Sequence, residues 1–172
     1  MNSERSEKLS KINFYNRLIE MRDKDRELQK KGIVIVKGKE IPWETNFQGK
    51  MRWYMHPDID DIVTRCMIIR LQEIPPGSRS GRVKFQGGQV IYIIKGKGYT
   101  VLDGVKHYWQ GGDVVQLPLR PEGVIFQHFN EDSENPIQLI AVEPNVVDAL
   151  GLDLGSEFKQ IENCPEYAVK PR

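Results

Sequence analysis

From residue 33 to residue 142 the chain repeats one pattern, a short run of β-branched and aromatic residues followed by a turn signal. The runs are IVIV (33–36), RWYM (52–55), IVTRCMIIRL (62–71), VIYII (90–94), YTVL (99–102), DVVQL (113–117), GVIFQHF (123–129) and IQLIAV (137–142). PPG, QGG, KGKG, DG, RPEG and ENP stand between them and punctuate the strands. Many short strands with regular turns predict an antiparallel sandwich or barrel. A chain of 172 residues most simply makes one such domain. At this size roughly 70% of the unfolded surface is buried, so no staple is required.

The ends of the chain read differently. Residues 5–31 predict one helix, because Ile12, Tyr15, Leu18, Ile19 and Leu28 recur at three- and four-residue steps among charges. Gly32 is expected to stop it in a left-handed conformation. No second helix follows, so a DNA-reading helix-turn-helix is disfavoured, and a packing or dimerisation arm is expected. Beyond Pro144 the strand pattern dissolves; NVVDAL (145–150) predicts one helical turn, and the rest reads as a peripheral tail. The expected organisation is an arm (1–32), a β domain (33–145) and a tail (146–172).

Charge narrows the partners. Twenty-five Lys and Arg nearly balance twenty-four Asp and Glu, so no strong field draws the chain to nucleic acid. The two cysteines, Cys66 and Cys164, are far apart and in no CxxC pattern, which argues against a disulfide framework or a zinc knuckle. The polar N-terminus lacks a signal-peptide core, and no apolar run reaches the roughly 18 residues of a membrane span. A cytoplasmic protein without membrane partners is expected.

Two longer stretches carry a family resemblance. PPGSRSGRVKFQGGQVIYIIKGKGYTVLDG (75–104) resembles the first signature of the cupin family, and GGDVVQLPLRPEGVIFQHFN (111–130) resembles the second. The resemblance implies an all-β, cupin-like jelly-roll β-barrel with an N-terminal helical arm. It also implies where metal ligands would stand. Cupins place His-x-His and then a Glu, sometimes a Gln, in the first signature, and one His in the second; here those positions hold Val83, Phe85, Gln89 and Phe126, so all three histidines are absent.

Strand parity makes these replacements interpretable. Residues two apart share a face, so Val83 and Phe85 lie on one side while Arg82 and Lys84 take the other. The predicted ligand pocket is therefore apolar, lined by Val83, Phe85, Ile91 and Phe126, with Gln89 and His128 as its polar points. A first-row metal needs three or four converging N, O or S donors. The three histidines, His56, His107 and His128, fall on different elements, so no metal and no other cofactor is expected. His128 is the candidate acid or base, its pKa drawn down by an apolar setting. Arg65 and Arg70, five apart, lie on opposite faces of a regular strand, so at most one points inward unless a bulge intervenes, and the outward, solvated position is the expectation for either taken alone. An inward arginine would need an acidic partner or an anionic ligand. Cys66 is expected to be a small buried hydrophobe, and Tyr92 and Tyr99 to be packing residues.

Three functions fit these expectations. The leading one is a metal-free cupin that binds a small apolar or aromatic molecule, or serves as a non-catalytic subunit. PWETNFQGKMRWYMHPD (42–58) and the HFN ending resemble cupins of aromatic-ring dioxygenation, some of which pair a small cupin-like subunit with a larger iron-bearing one. That resemblance implies a heteromer with a larger metal-bearing cupin in aromatic-compound metabolism. The second is a cofactor-free lyase, isomerase or dehydratase using His128; the third is a dioxygenase-like metallo-cupin with atypical ligands. Exposed strand edges and an amphipathic arm lead us to expect a homodimer.

Overall fold

The computed structural model describes residues 3–150 and 158–167. They fall into two compact units: residues up to Ile35 with Asp61–Thr64, and Val36–Asp60 with the chain from Arg65 onward. The first unit is helical. Its predicted single helix is two, α1 (Glu4–Ser10) and α2 (Phe14–Lys31). The break falls at Asn13, whose extended backbone and side-chain oxygen cap α2 by accepting from the Asn16 N–H at 3.0 Å. Gly32 stops α2 in an extended conformation (φ −67°, ψ 165°) rather than a left-handed one. What demands glycine there is space, since a Cβ would sit 2.6 Å from the Leu28 carbonyl oxygen. IVIV forms no strand; Ile33 makes an isolated parallel bridge to Ile62.

The second unit is a two-sheet β structure. Its strands are β1 (Glu44–Asn46), β2 (Gly49–Met55), β3 (Met67–Ile74), β4 (Arg82–Phe85), β5 (Gln89–Lys95), β6 (Lys97–Leu102), β7 (Val105–Gln110), β8 (Val114–Leu117), β9 (Val124–Asn130), β10 (Ile137–Pro144) and β11 (Lys159–Glu162). One sheet runs β1-β2-β3-β10-β5-β8 and the other β11-β4-β9-β6-β7, and every strand pairing is antiparallel. Long crossings between sheets, with β10 returning between β3 and β5, give the jelly-roll topology. The β6–β7 hairpin turns on Asp103 and Gly104, both at positive φ (48° and 86°), a two-residue turn that matches the twist of its strands.

Both sheets contribute to one core. Ile74, Ile91, Ile93, Leu117, Ile137, Leu139 and Ala141 of the first pack with Val83, Phe85, Trp109, Val124 and Phe126 of the second. Two sequence expectations are decided here. NVVDAL does form a helical turn, α3 (Val147–Leu150). The expected tail, however, supplies β11, which pairs with β4 at the sheet edge. Its residues are almost all polar, which hides a strand from pattern reading and suits an edge that must not recruit another chain.

Candidate functional site

The expected pocket residues all stand in the interior between the sheets. On β4 and β9 the register sets Val83 opposite Phe126, and Phe85 packs its ring edge-on against Phe126 at 5.4 Å between centroids. Gln89 and Ile91 lie on the inner face of β5, and Gln89, Ile91 and His128 are each at most 2% exposed. The alternation predicted from parity is present: Arg82 is exposed and Lys84 half-buried, while Val83 and Phe85 are buried.

His128 is held from several sides. Its Nδ1 lies 2.8 Å from Thr100 Oγ1, which also accepts from the Trp109 indole N–H at 2.9 Å. Its main-chain N–H donates to Ser80 Oγ at 2.9 Å. Burial, and secondarily the nearby Arg70 guanidinium, push its pKa down to about 3. The imidazole is thus neutral near pH 7, lacks the acidic second proton of an imidazolium, and takes a proton only weakly as a base. The closing asparagine of the second signature is structural. Asn130 Nδ2 reaches the carbonyls of Ile74, Pro75 and Asn135 at 2.9–3.1 Å and ties β9 to the loops beside it.

The most informative residue is one expected to point outward. β3 begins at Met67 rather than Ile62, and its inner face carries Ile68, Arg70, Gln72 and Ile74. Arg70 therefore faces inward, with its side chain only 14% exposed. Its Nη1 donates to Glu143 Oε1 at 2.9 Å, and Gln89 Nε2 donates to Glu143 Oε2 at 2.5 Å. The guanidinium also lies over the Trp53 ring, 5.6 Å from its centroid. Glu143 escapes a reading of the sequence, although Ile137, Leu139, Ala141 and Glu143 alternate onto one face of β10. Arg65 lies before β3, half-exposed, and pairs with Asp148 at 3.2 Å. Cys66 is exposed rather than buried. Tyr99 stacks on Phe129 at 4.7 Å, whereas Tyr92 is exposed on the outer face.

Does this interior suit the metal that its architecture implies? The positions of the expected ligands hold two phenylalanines, a valine and an amide. His56 is engaged with Asp58 and stands edge-on to Trp53, and His107 is exposed on β7. Among the described residues no three His, Cys, Asp or Glu side chains converge as a metal site. The donor set does not fit a first-row metal.

No protein-family profile matches the sequence, and no curated protein does. Solved structures do match. A cupin-like protein from Thermotoga maritima superposes with a TM-score of 0.51 at 16% identity, over 76% of this chain and 90% of its own. The fold is that of the cupin superfamily. Coconut cocosin, a larger cupin-fold protein, gives 0.55 at 20% identity over 70% of this chain. A variant of the salicylate 1,2-dioxygenase from Pseudoaminobacter salicylatoxidans, in complex with gentisate, gives 0.52 at 16% identity over 90% of this chain. This chain spans 34% of the length of the former and 39% of the latter. Among its described residues no helix is long and apolar enough to cross a membrane.

Proposed function

We propose that this cupin is a metal-free protein that binds a small apolar or aromatic molecule and works as a non-catalytic subunit. The observation that carries this reading is the contact of Val83, Phe85 and Phe126 where related cupins carry histidines. Apolar side chains there cannot ligate, and they offer a greasy wall to an organic molecule. The salicylate dioxygenase among the fold neighbours supports an aromatic ligand. Chemistry on that molecule then belongs to a partner, a larger metal-bearing cupin, and this chain also pairs with a second copy of itself. A cofactor-free reaction through His128 is less supported, because its imidazole is buried, tied to Thr100 and held neutral.

Metal content of the purified protein, measured by mass spectrometry before and after loading with ferrous iron, manganese and zinc, tests the first half. Well under one metal per chain is expected; one tightly held metal per chain overturns it. Co-purification of a larger cupin at fixed stoichiometry is the expected sign of the second half. A purified protein that converts aromatic substrates alone, with chelator present, overturns it.

A further inference from the structure

Resting on the binding role proposed above, we infer that Arg70, set by Glu143 and Gln89, is the head-group site of the interior, and that the molecule bound there is an aromatic or apolar monocarboxylic acid. The inner face of the larger sheet carries one cross-strand row, Trp53, Arg70, Ala141, Ile91 and Val115. Arg70 is thus flanked by an aromatic ring on one side and by Ala141, the smallest side chain of the row, on the other. Glu143 stands diagonally across from it, opposite Ile68. Both Glu143 oxygens are engaged, one by Arg70 and one by the 2% exposed Gln89.

The donor capacity left over is mostly on the cation. A guanidinium has five N–H donors in a planar fork, and Glu143 takes one nitrogen of it. Among the described residues the sole buried side-chain nitrogen or oxygen without a partner is Arg52 Nε, so the nitrogens of Arg70 that Glu143 does not take keep contact with solvent, as its 14% exposure allows. A planar oxyanion fits them in the paired geometry that favours arginine with carboxylates. The field agrees in sign: the interior around His128 feels Arg70, which adds to the lowering of that imidazole's pKa. A ligand's apolar body then lies toward Ile91 and Phe126, which belong to the same buried cluster. An inward ion pair is a costly way to stabilise a core, and well-packed hydrophobic residues would serve as well. Its presence fits recognition.

Calorimetric or ligand-observed NMR titration of the full chain with benzoate, benzamide, benzyl alcohol and toluene tests this. Benzoate is expected to bind at least tenfold more tightly than benzamide or toluene. Arg70→Lys, which keeps the charge and loses the fork, should weaken benzoate about tenfold and leave toluene unchanged. Because the wild-type series decides alone, a variant that fails to fold does not remove the test. Equal binding of all four, or preference for benzyl alcohol, overturns the head-group inference while the binding role survives. If no compound binds, toluene included, the binding role falls and this inference falls with it.

Discussion

The interior has two walls built on different physics. Against β4 and β9, Val83, Phe85, Val124 and Phe126 are buried carbon on carbon, and each stabilises the fold by leaving water. Across from them, β3, β5 and β10 bring Arg70, Gln89 and Glu143 together, where burial costs and only mutual hydrogen bonds offset it. The first wall includes the positions where the resemblance implies histidine ligands, and it packs as ordinary core. The second keeps charge in a place where core would be easier. The difference is one of cost: burial stabilises the apolar wall outright, whereas the polar wall, where the proposed head-group site stands, depends on its hydrogen bonds.

Breaking the apolar wall should have the largest effect on stability. Phe126→Ala removes a ring packed against Phe85 and His128 and should cost about 3–5 kcal/mol. Urea denaturation measures it, and a loss under about 1 kcal/mol would mean the ring is not core. Breaking the polar wall on one side comes next. Glu143→Ala leaves Arg70 unpaired and should cost about 2–3 kcal/mol, below the fully buried case because Glu143 keeps 21% exposure. The double variant Arg70→Met with Glu143→Met should recover most of that loss; if it does not, the pair stabilises the fold and the contrast between the walls weakens.

A pH experiment sharpens the comparison where the walls meet. The folded pKa of His128, about 3, lies below its ordinary value of 6.5, so as pH falls the unfolded chain takes a proton first. His128 therefore contributes stability that is fully present above about pH 6.5 and declines as pH falls toward 3, by about 1.4 kcal/mol per unit within that window. Between pH 7 and pH 5 the wild type should lose about 2 kcal/mol more than His128→Gln, and parallel losses would show an imidazole open to water. The smallest effect belongs to the other arginine. Arg65→Ala breaks a half-exposed pair with Asp148 and should change stability by under about 1 kcal/mol. A larger loss would place Arg65 in a role its exposure does not indicate.

Much of this is legible in the chain because it is local. Period-two alternation turns Val83 and Phe85 inward and Arg82 and Lys84 away from them. Parity within IVTRCMIIRL sets Arg70 on the face of Ile68, but a strand arginine reads as solvated, and only Glu143 on a neighbouring strand makes the inward position tenable. The arm gives the opposite lesson: its period is right, but Asn13 is a good cap and divides it. β11 escapes notice because an edge strand needs no apolar signature.

By itself, then, the sequence determined a many-stranded antiparallel β fold, the shared apolar face of Val83 and Phe85, and a His128 whose pKa an apolar setting lowers. Those follow from periodicity, turn chemistry and residue type, which act over a few neighbours. Tertiary structure alone decided that Arg70 faces inward and finds Glu143, 73 residues away, while Gln89 reaches the same carboxylate from 54 residues away. No local rule links such residues. Only the ordering of β10 between β3 and β5, and the register of each pairing, brings three strands' polar side chains to one point.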